Sequence, residues 1–233
     1  MSQHHNNQNK LRGHYNLETS KGTIRIMENY EVGTCGSRLW SSAPVLCKYL
    51  EKHANKLKLT TTCRSILEVG AGCGISSILL AKLGCPRVVA TDREIVLPIL
   101  KQNILYNCNE VSKNISCEEL EWLWACSTTD ENKLKEFRMK TTGTEDGTFD
   151  CIIGSDVVYE EPCIEPLLKL LTVLSSTSTL IFIAYEIRND TAHELFLEKA
   201  ATFFSLKKIP TKQQNSECMD ERVLIYQLKK ESQ

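Results

Sequence analysis

Residues 66–75 read ILEVGAGCGI, and this stretch decides the fold. Its first four residues form an apolar run of the length of a buried strand, and the glycines that follow, Gly70, Gly72 and Gly74, form a turn before a helical pattern. Glycine lets a ligand approach bare backbone, and the start of a helix offers free N–H groups and a positive dipole end. The stretch therefore predicts a strand, a ligand-binding loop and a helix, in that order.

The same alternation of strand and helix continues to the end of the chain. Short apolar runs separated by helical periods are typical of a mostly parallel α/β sheet with helices on both faces. We predict seven strands, of which the last two form an antiparallel pair at the end of the sheet. The predicted strands lie at residues 65–69, 87–91, 115–120, 149–155, 179–184, 205–209 and 223–229, and the predicted helices at 75–83, 95–106, 164–174 and 191–204.

Segments outside this core alternation have other compositions. Residues 1–20 are rich in Asn and Gln and predict a flexible polar tail, so residues 21–233 are expected to form a single domain. Its N-terminal extension contains a predicted strand at 22–27 and a lid or flanking helix at 42–57. Residues 127–148 are polar with both charge signs and predict a surface loop with at most a helical turn at 134–139.

Composition excludes several classes of protein. The 233 residues are 42% hydrophobic and 24% charged, as in soluble globular proteins. The net charge of -1 leaves no excess of basic side chains for a nucleic-acid partner. We expect no signal peptide and no membrane span, because the first residues lack an apolar segment and hydroxyl residues interrupt the longest uncharged run. Eleven cysteines without a Cys-x-x-Cys pair favour a reducing compartment, buried thiols and no metal site.

Two acidic residues indicate the type of ligand. A dinucleotide fingerprint spaces its glycines as G-x-G-x-x-G, whereas here they are one residue closer and Glu68 lies two residues before Gly70. A carboxylate there suits a cofactor with a cationic sulfonium and ammonium better than a pyrophosphate. Asp92 ends the second strand, where an acid can accept hydrogen bonds from both ribose hydroxyls. An NAD-dependent dehydrogenase is an alternative that the glycine spacing weakens.

Residues 149–159 read FDCIIGSDVVY, an apolar strand that ends in polar groups. Open α/β sheets build their active sites at such strand ends, so Asp156 and Tyr159 are expected to line a cleft. Enzymes that methylate amino groups of nucleic-acid bases or glutamine have prolines between the corresponding residues. This chain has valines there, which disfavours those substrates.

These motifs resemble a known family. The E-x-G-x-G-x-G stretch resembles the first motif of the class I, Rossmann-like, S-adenosyl-L-methionine-dependent methyltransferases. Asp-x-x-Tyr at 156–159 resembles the seven-β-strand protein lysine methyltransferases of methyltransferase family 16, which include the methyltransferase-like 21 enzymes. Gly36-Ser-Arg-Leu-Trp40 and Leu120-Glu121-Trp122 resemble two further motifs of that family. The match spans about residues 33–186, and it departs from the family pattern at Ser41, where proline is common, and at Leu123, where glycine is common.

The resemblance implies a site and a reaction. It implies S-adenosyl-L-methionine as cofactor and the ε-amine of a lysine in a folded protein as acceptor, with Asp156 and Tyr159 as catalytic residues. The implied cofactor-binding residues are Trp40, Glu68, Gly70, Ala71, Gly72, Asp92, Trp122 and Ser155. Taken singly, the acids could instead be helix caps and the tryptophans core aromatics.

The same resemblance implies a protein substrate, since the family's substrates include chaperones, a valosin-containing-type ATPase and translation elongation factors. We also expect a monomer, and the cytoplasm is the default location, with a nuclear pool left open. Two alternatives remain. One keeps the cofactor with an arginine, histidine or small-molecule acceptor, and the other is a non-catalytic binding protein that docks through residues 127–148.

Overall fold

The computed structural model describes residues 13–30, 33–107, 111–127 and 129–231. Short apolar strands alternate with helices in these residues, as the sequence pattern predicts. In chain order the elements are β1 (His14–Leu17), β2 (Ile24–Met27), α1 (Ser42–His53), β3 (Ile66–Val69), α2 (Ile75–Leu83), β4 (Val88–Asp92), α3 (Leu97–Asn107), β5 (Ile115–Glu119), α4 (Glu131–Thr142), β6 (Phe149–Ser155), α5 (Glu161–Leu174), β7 (Ser175–Glu186), α6 (Asp190–Ala200), β8 (Phe204–Lys208) and β9 (Val223–Lys230).

The main sheet of the described residues has seven strands in the order β5-β4-β3-β6-β7-β9-β8. Strands β3 to β7 are parallel to one another, and β9 is antiparallel to both β7 and β8. The predicted mostly parallel sheet with an antiparallel C-terminal strand is therefore confirmed.

Both faces of this sheet are covered. Alternate residues of β3 point to opposite faces, so that Ile66 joins one hydrophobic core and Leu67 the other, and neither side chain is exposed. Helices α1, α2 and α3 pack on the first face, and α4, α5 and α6 pack on the second. This two-sided burial explains why the central strands are apolar throughout rather than alternating with polar residues.

Strand order determines where a ligand can bind. The chain runs outward from β3 through β4 to β5, then returns to place β6 on the other side of β3. The loops after β3 and β6 therefore leave in opposite directions and open a crevice at the carboxyl ends of the strands. The glycine loop follows β3 and Asp156 follows β6, so both lie at this crevice.

The N-terminal segment differs from the prediction. The predicted tail, residues 1–20, is wrong over His14–Leu17, which pairs in antiparallel fashion with β2. Leu17 is buried in the first core, and one such residue among polar neighbours gives little sequence signal. The hairpin is held from the other side by Asn103 of α3, whose side chain accepts from the Met27 N–H (2.9 Å). Residues 1–12 of the predicted tail lie outside the described residues.

The polar segment 127–148 also differs from the prediction. It contains the twelve-residue helix α4 rather than a loop with one helical turn. Leu134, Phe137 and Thr141, spaced three and four residues apart, form its buried side. Three such residues in a charged segment are too few to predict a helix from sequence.

Helix α1 ends at His53, four residues before the predicted end at residue 57. No helix in the described ranges is long and apolar enough to cross a bilayer.

Candidate active site

A cavity of about 330 Å³ lies at the crevice, a size within the range of small-molecule sites. Its wall includes both predicted catalytic residues and all of the predicted cofactor-binding residues except Glu68. Those in the wall are Trp40, Gly70, Ala71, Gly72, Asp92, Trp122, Ser155, Asp156 and Tyr159. Folding thus brings together side chains that are up to 119 positions apart in the sequence.

The glycine loop forms the floor of the cavity in a conformation that needs glycine. Gly70 and Gly72 have φ angles of +63° and +54°, which residues with a Cβ rarely adopt. A Cβ at Gly70 would lie 2.9 Å from Val157 Cγ1, and one at Gly72 would lie 3.1 Å from the Gly36 carbonyl oxygen. The loop is therefore both bent and closely covered, and its backbone faces the cavity.

Asp92 lies at the carboxyl end of β4 with its carboxylate in the cavity wall. One oxygen accepts from the Gly72 N–H and the other from the Arg93 N–H, each at 2.8 Å. Burial raises the pKa of this carboxyl, and the two backbone donors oppose that rise. Each oxygen keeps a second acceptor position, so the pair fits a ligand with two adjacent hydroxyls, such as a ribose.

Glu68 is placed differently from the prediction. Its side chain is fully buried, and one carboxylate oxygen accepts from the backbone N–H (3.0 Å) and the hydroxyl of Ser77 in the first turn of α2. Burial raises its pKa to about 7. Strand alternation explains the difference, because Glu68 turns toward α2 while the loop beyond β3 faces the crevice. Glu68 fixes the start of the helix that carries the loop and does not line the cavity.

Two tryptophans complete the cavity wall. Trp122 follows β5 in a short 3₁₀ turn, and its ring edge would lie 3.3 Å from a Cβ at Gly70. Trp40 precedes α1, and its indole N–H donates to the Cys35 carbonyl (2.9 Å). Both side chains are half-buried and line the cavity, and Trp122 also packs against the second core.

Asp156 follows β6 in a left-handed conformation, with φ of +52°. One carboxylate oxygen accepts from the N–H and the hydroxyl of Ser42, and the other accepts from Arg188 (2.5 Å) and the Glu186 N–H (3.3 Å). All four acceptor positions of the carboxylate are therefore used. Asp156 does cap a helix, but the helix is α1 and not the one that follows it.

Tyr159 lies three residues farther along the cavity wall. Its ring is half-buried, and burial raises the pKa of the hydroxyl to about 12. The hydroxyl therefore remains protonated at neutral pH and can donate a hydrogen bond. Ser155, also half-buried, is the last residue of β6 and directly precedes Asp156.

Sequence reasoning did not find the partners of Asp156. Ser42, Glu186 and Arg188 are distant in sequence, and none belongs to a motif in the segment that contains Asp156. A topological signal was present, because β7 is the neighbour of β6 and residues at its carboxyl end reach the same edge of the sheet. Arg93 and Cys163 of the cavity wall were also missed.

The sheet order, the crevice and the glycine loop together define a class I methyltransferase fold. Solved structures agree on the fold. A Klebsiella pneumoniae protein described as an O-methyltransferase has a TM-score of 0.56 at 15% identity and covers 87% of this chain and 86% of its own. The glycopeptide N-methyltransferase MtfA, crystallised with S-adenosyl-L-methionine, has a TM-score of 0.55 at 10% identity and covers 79% of this chain and 94% of its own.

Sequence comparison then identifies the family. The chain belongs to the lysine methyltransferase family whose sequence model matches residues 19–203. Mouse protein-lysine methyltransferase METTL21E is 33% identical over 178 residues, which are 75% of this chain and 65% of that protein. Xenopus tropicalis protein N-lysine methyltransferase METTL21A is 29% identical over 187 residues, 80% of this chain and 76% of that protein. The chain thus spans about two thirds to three quarters of these relatives.

The cavity fits the cofactor of this class, S-adenosyl-L-methionine. A nucleoside needs paired acceptors for its ribose and flat apolar contacts for its base, which Asp92 and Trp122 can supply. The bare backbone of the glycine loop allows the close approach of the amino-acid part. The predicted family and the predicted class, an S-adenosyl-L-methionine-dependent methyltransferase, are confirmed.

Proposed function

We propose that this protein transfers a methyl group from S-adenosyl-L-methionine to the ε-amine of a lysine in a folded protein. One observation carries the proposal: the Asp-x-x-Tyr pair of the lysine methyltransferase family lines the same cavity as the glycine loop and Asp92. The methyl donor and the acceptor amine would then lie in the same cavity. Residues 21–233, together with the strand β1 that pairs with β2, would act as a single domain.

On the cofactor side, residues of the cavity wall would bind S-adenosyl-L-methionine and fix its orientation. Asp92 would accept from both ribose hydroxyls, Trp122 would border the adenine and Trp40 would cover the cofactor. The backbone of Gly70 and Gly72 would hold the amino-acid part. When bound, the cofactor supplies an electrophilic methyl group on its sulfonium. Glu68 would act indirectly, by keeping α2 and the loop in place.

On the acceptor side, the amine must lose a proton before it can accept a methyl group. A free lysine has a pKa of ~10.4, so about one amine in 2,500 is neutral at pH 7. A carboxylate does not favour deprotonation, but it stabilises the positive charge that develops on nitrogen during transfer. We assign Asp156 to this charge stabilisation and Tyr159 to shaping the lysine channel. Water would take the proton once the amine is aligned with the methyl group.

The charge of this wall supports a cationic acceptor. The acidic side chains that line the cavity are Asp92, Glu121 and Asp156, and the basic ones are Arg38 and Arg93. Three carboxylates against two guanidinium groups leave one excess negative charge. An incoming ammonium therefore meets an attractive field rather than a repulsive one.

The choice of protein substrate belongs to the same proposal. A chaperone, a valosin-containing-type ATPase or a translation elongation factor each present lysines on a folded surface. We propose a monomer that works in the cytoplasm, with a nuclear pool left open. An arginine, histidine or small-molecule acceptor is the alternative outcome of the following experiment.

The test combines binding and product analysis. We expect calorimetric titration to show binding of S-adenosyl-L-methionine and of its demethylated product to the purified chain. Incubation with isotope-labelled cofactor and a soluble lysate should then label one or a few proteins, and mass spectrometry should place the label on lysine. Label on another residue type would overturn the acceptor, and a folded chain that binds no cofactor would overturn the enzyme.

A further inference from the structure

Arg188, two residues beyond β7, contacts three separate segments with one side chain. Its Nη1 donates to Asp156 (2.5 Å), and its Nη2 donates to Glu186 (2.9 Å) and to the Ser41 hydroxyl (3.2 Å). Its guanidinium carbon lies 4.7 Å from the centroid of the Trp40 ring, a cation–π distance. The side chain is 31% exposed, so the group lies at the protein surface behind two side chains of the cavity wall.

This arrangement determines how Asp156 is held. The carboxylate side chain is only 4% exposed, and a buried carboxylate needs both a counter-charge and hydrogen bonds. Ser42 satisfies one oxygen, and Arg188 supplies the only salt bridge that the described residues offer to the other. Without Arg188 that oxygen would keep only the long bond from the Glu186 N–H, and the side chain could leave its place.

Trp40 depends on the same group. The indole N–H is bound to Cys35 at one edge, and the guanidinium covers the ring. A lysine at position 188 could reach a carboxylate but could not form two planar hydrogen bonds and a stacked contact at once, since its ammonium is a point charge. The site is therefore built for a guanidinium and not for a positive charge alone.

We propose that Arg188 is a positioning residue for methyl transfer, which holds Asp156 and Trp40 in the wall between cofactor and acceptor through one guanidinium. The inference rests on the proposed function, because it names a residue that acts through Asp156 in that reaction. Arg188 contacts neither the cavity interior nor the reacting atoms. Trp40 keeps its hydrogen bond to the Cys35 carbonyl when Arg188 is lost, so the effect should appear in kcat for the acceptor far more than in affinity for the cofactor.

The test is chemical rescue. In Arg188→Ala we expect kcat to fall at least tenfold toward the acceptor recovered from the lysate experiment, while the Kd for S-adenosyl-L-methionine changes less than threefold. Guanidinium ion at low millimolar concentration should restore part of the lost activity, and methylammonium should not. Arg188→Lys should remain impaired. Arg222→Ala is the matched control, since Arg222 contacts Glu186 but is 70% exposed and touches neither Asp156 nor Trp40 in the described residues.

A second measurement does not depend on methyl transfer. In a Trp122→Phe, Trp124→Phe background the remaining indole is Trp40, and Arg188→Ala should shift its fluorescence while added guanidinium reverses the shift. If Arg188→Ala does not fold, Arg188→Gln replaces it as a planar neutral variant. Three results would overturn the proposal. They are full kcat in Arg188→Ala, a loss of kcat in Arg222→Ala equal to that in Arg188→Ala, and full activity of Arg188→Lys. Fluorescence rescue in a protein that methylates no lysine would refute the proposed function and leave the positioning of Trp40 intact.

Discussion

The carboxylate of Asp156 accepts hydrogen bonds from both the backbone N–H and the hydroxyl of Ser42, the first residue of α1. The first N–H groups of a helix lack partners within the helix, so this contact satisfies one of them. Trp40 lies just before α1. The end of β6 and the segment that covers the cavity are thus fixed to each other, and an acceptor-side residue also positions the cofactor side.

Asp156→Asn tests the role of the charge, because asparagine keeps an acceptor for Ser42 but cannot pair with Arg188. We expect kcat to fall on the order of 100-fold, the effect of removing one preorganised electrostatic group. Cofactor affinity should stay within about threefold by calorimetry. Asp150→Asn, at the other end of β6, is the control. Full methyl transfer by Asp156→Asn would refute the assigned role.

Asp92→Asn should weaken binding of S-adenosyl-L-methionine by about 10- to 100-fold. The reason is the loss of one charge-assisted hydrogen bond to the ribose, worth about 1.5–3 kcal/mol, because asparagine keeps only one acceptor oxygen. Calorimetric titration measures the effect, and circular dichroism checks the fold. Asp146→Asn, in an exposed turn, should bind like the wild type. Equal affinities of all three proteins would mean that Asp92 does not contact the ligand.

Trp122→Ala and Trp124→Ala form a matched pair of neighbours. Both rings pack against the second core, but only Trp122 lines the cavity, and Lys133 lies 5.6 Å from the ring centroid of Trp124. We expect about a tenfold loss of cofactor affinity for Trp122→Ala only, as an aromatic contact contributes about 0.5–1.5 kcal/mol beyond its buried area. A similar loss in both variants would point to a general disturbance of the 3₁₀ turn.

Gly72→Ala and Gly84→Ala separate backbone strain from crowding. Both glycines have positive φ, of +54° and +95°, so alanine should destabilise the fold by about 1 kcal/mol in each. Only the Cβ at position 72 would meet a neighbour, the Gly36 carbonyl oxygen. Denaturant unfolding should therefore show a loss in both variants that is larger for Gly72→Ala, and cofactor titration should show weaker binding for Gly72→Ala alone. Wild-type affinity in Gly72→Ala would contradict the tight cover of the loop.

Glu68→Gln tests the buried carboxyl through the pH dependence of stability. Burial raises its pKa from 4.5 to about 7, so the folded state binds a proton that the unfolded state has released over this range. Its contribution is fully present below pH 4.5 and is lost as pH rises through 7, by about 3 kcal/mol. Urea unfolding at pH 5 and pH 8 should show this loss in the wild type relative to Glu68→Gln. Parallel pH profiles would mean that Glu68 titrates normally.

The sequence alone determined the sheet, the glycine loop and the family. Strand and helix periods are local, so β3, α2 and β6 could be predicted nearly to the residue, and motifs at strand ends fall at one edge of a parallel sheet. That rule was enough to place Asp92 and Tyr159 at one crevice, whereas Trp122 was placed there by the family resemblance.

The tertiary structure decided what the polar side chains contact. Glu68 turned toward Ser77 because a strand residue must face one side of the sheet or the other, and its motif does not say which. Asp156 found Ser42 and Arg188 because packing of α1 and the end of β7 brings them to β6. Hydrogen bonds between residues far apart in the chain depend on where whole elements meet, and no local pattern in the sequence records that meeting.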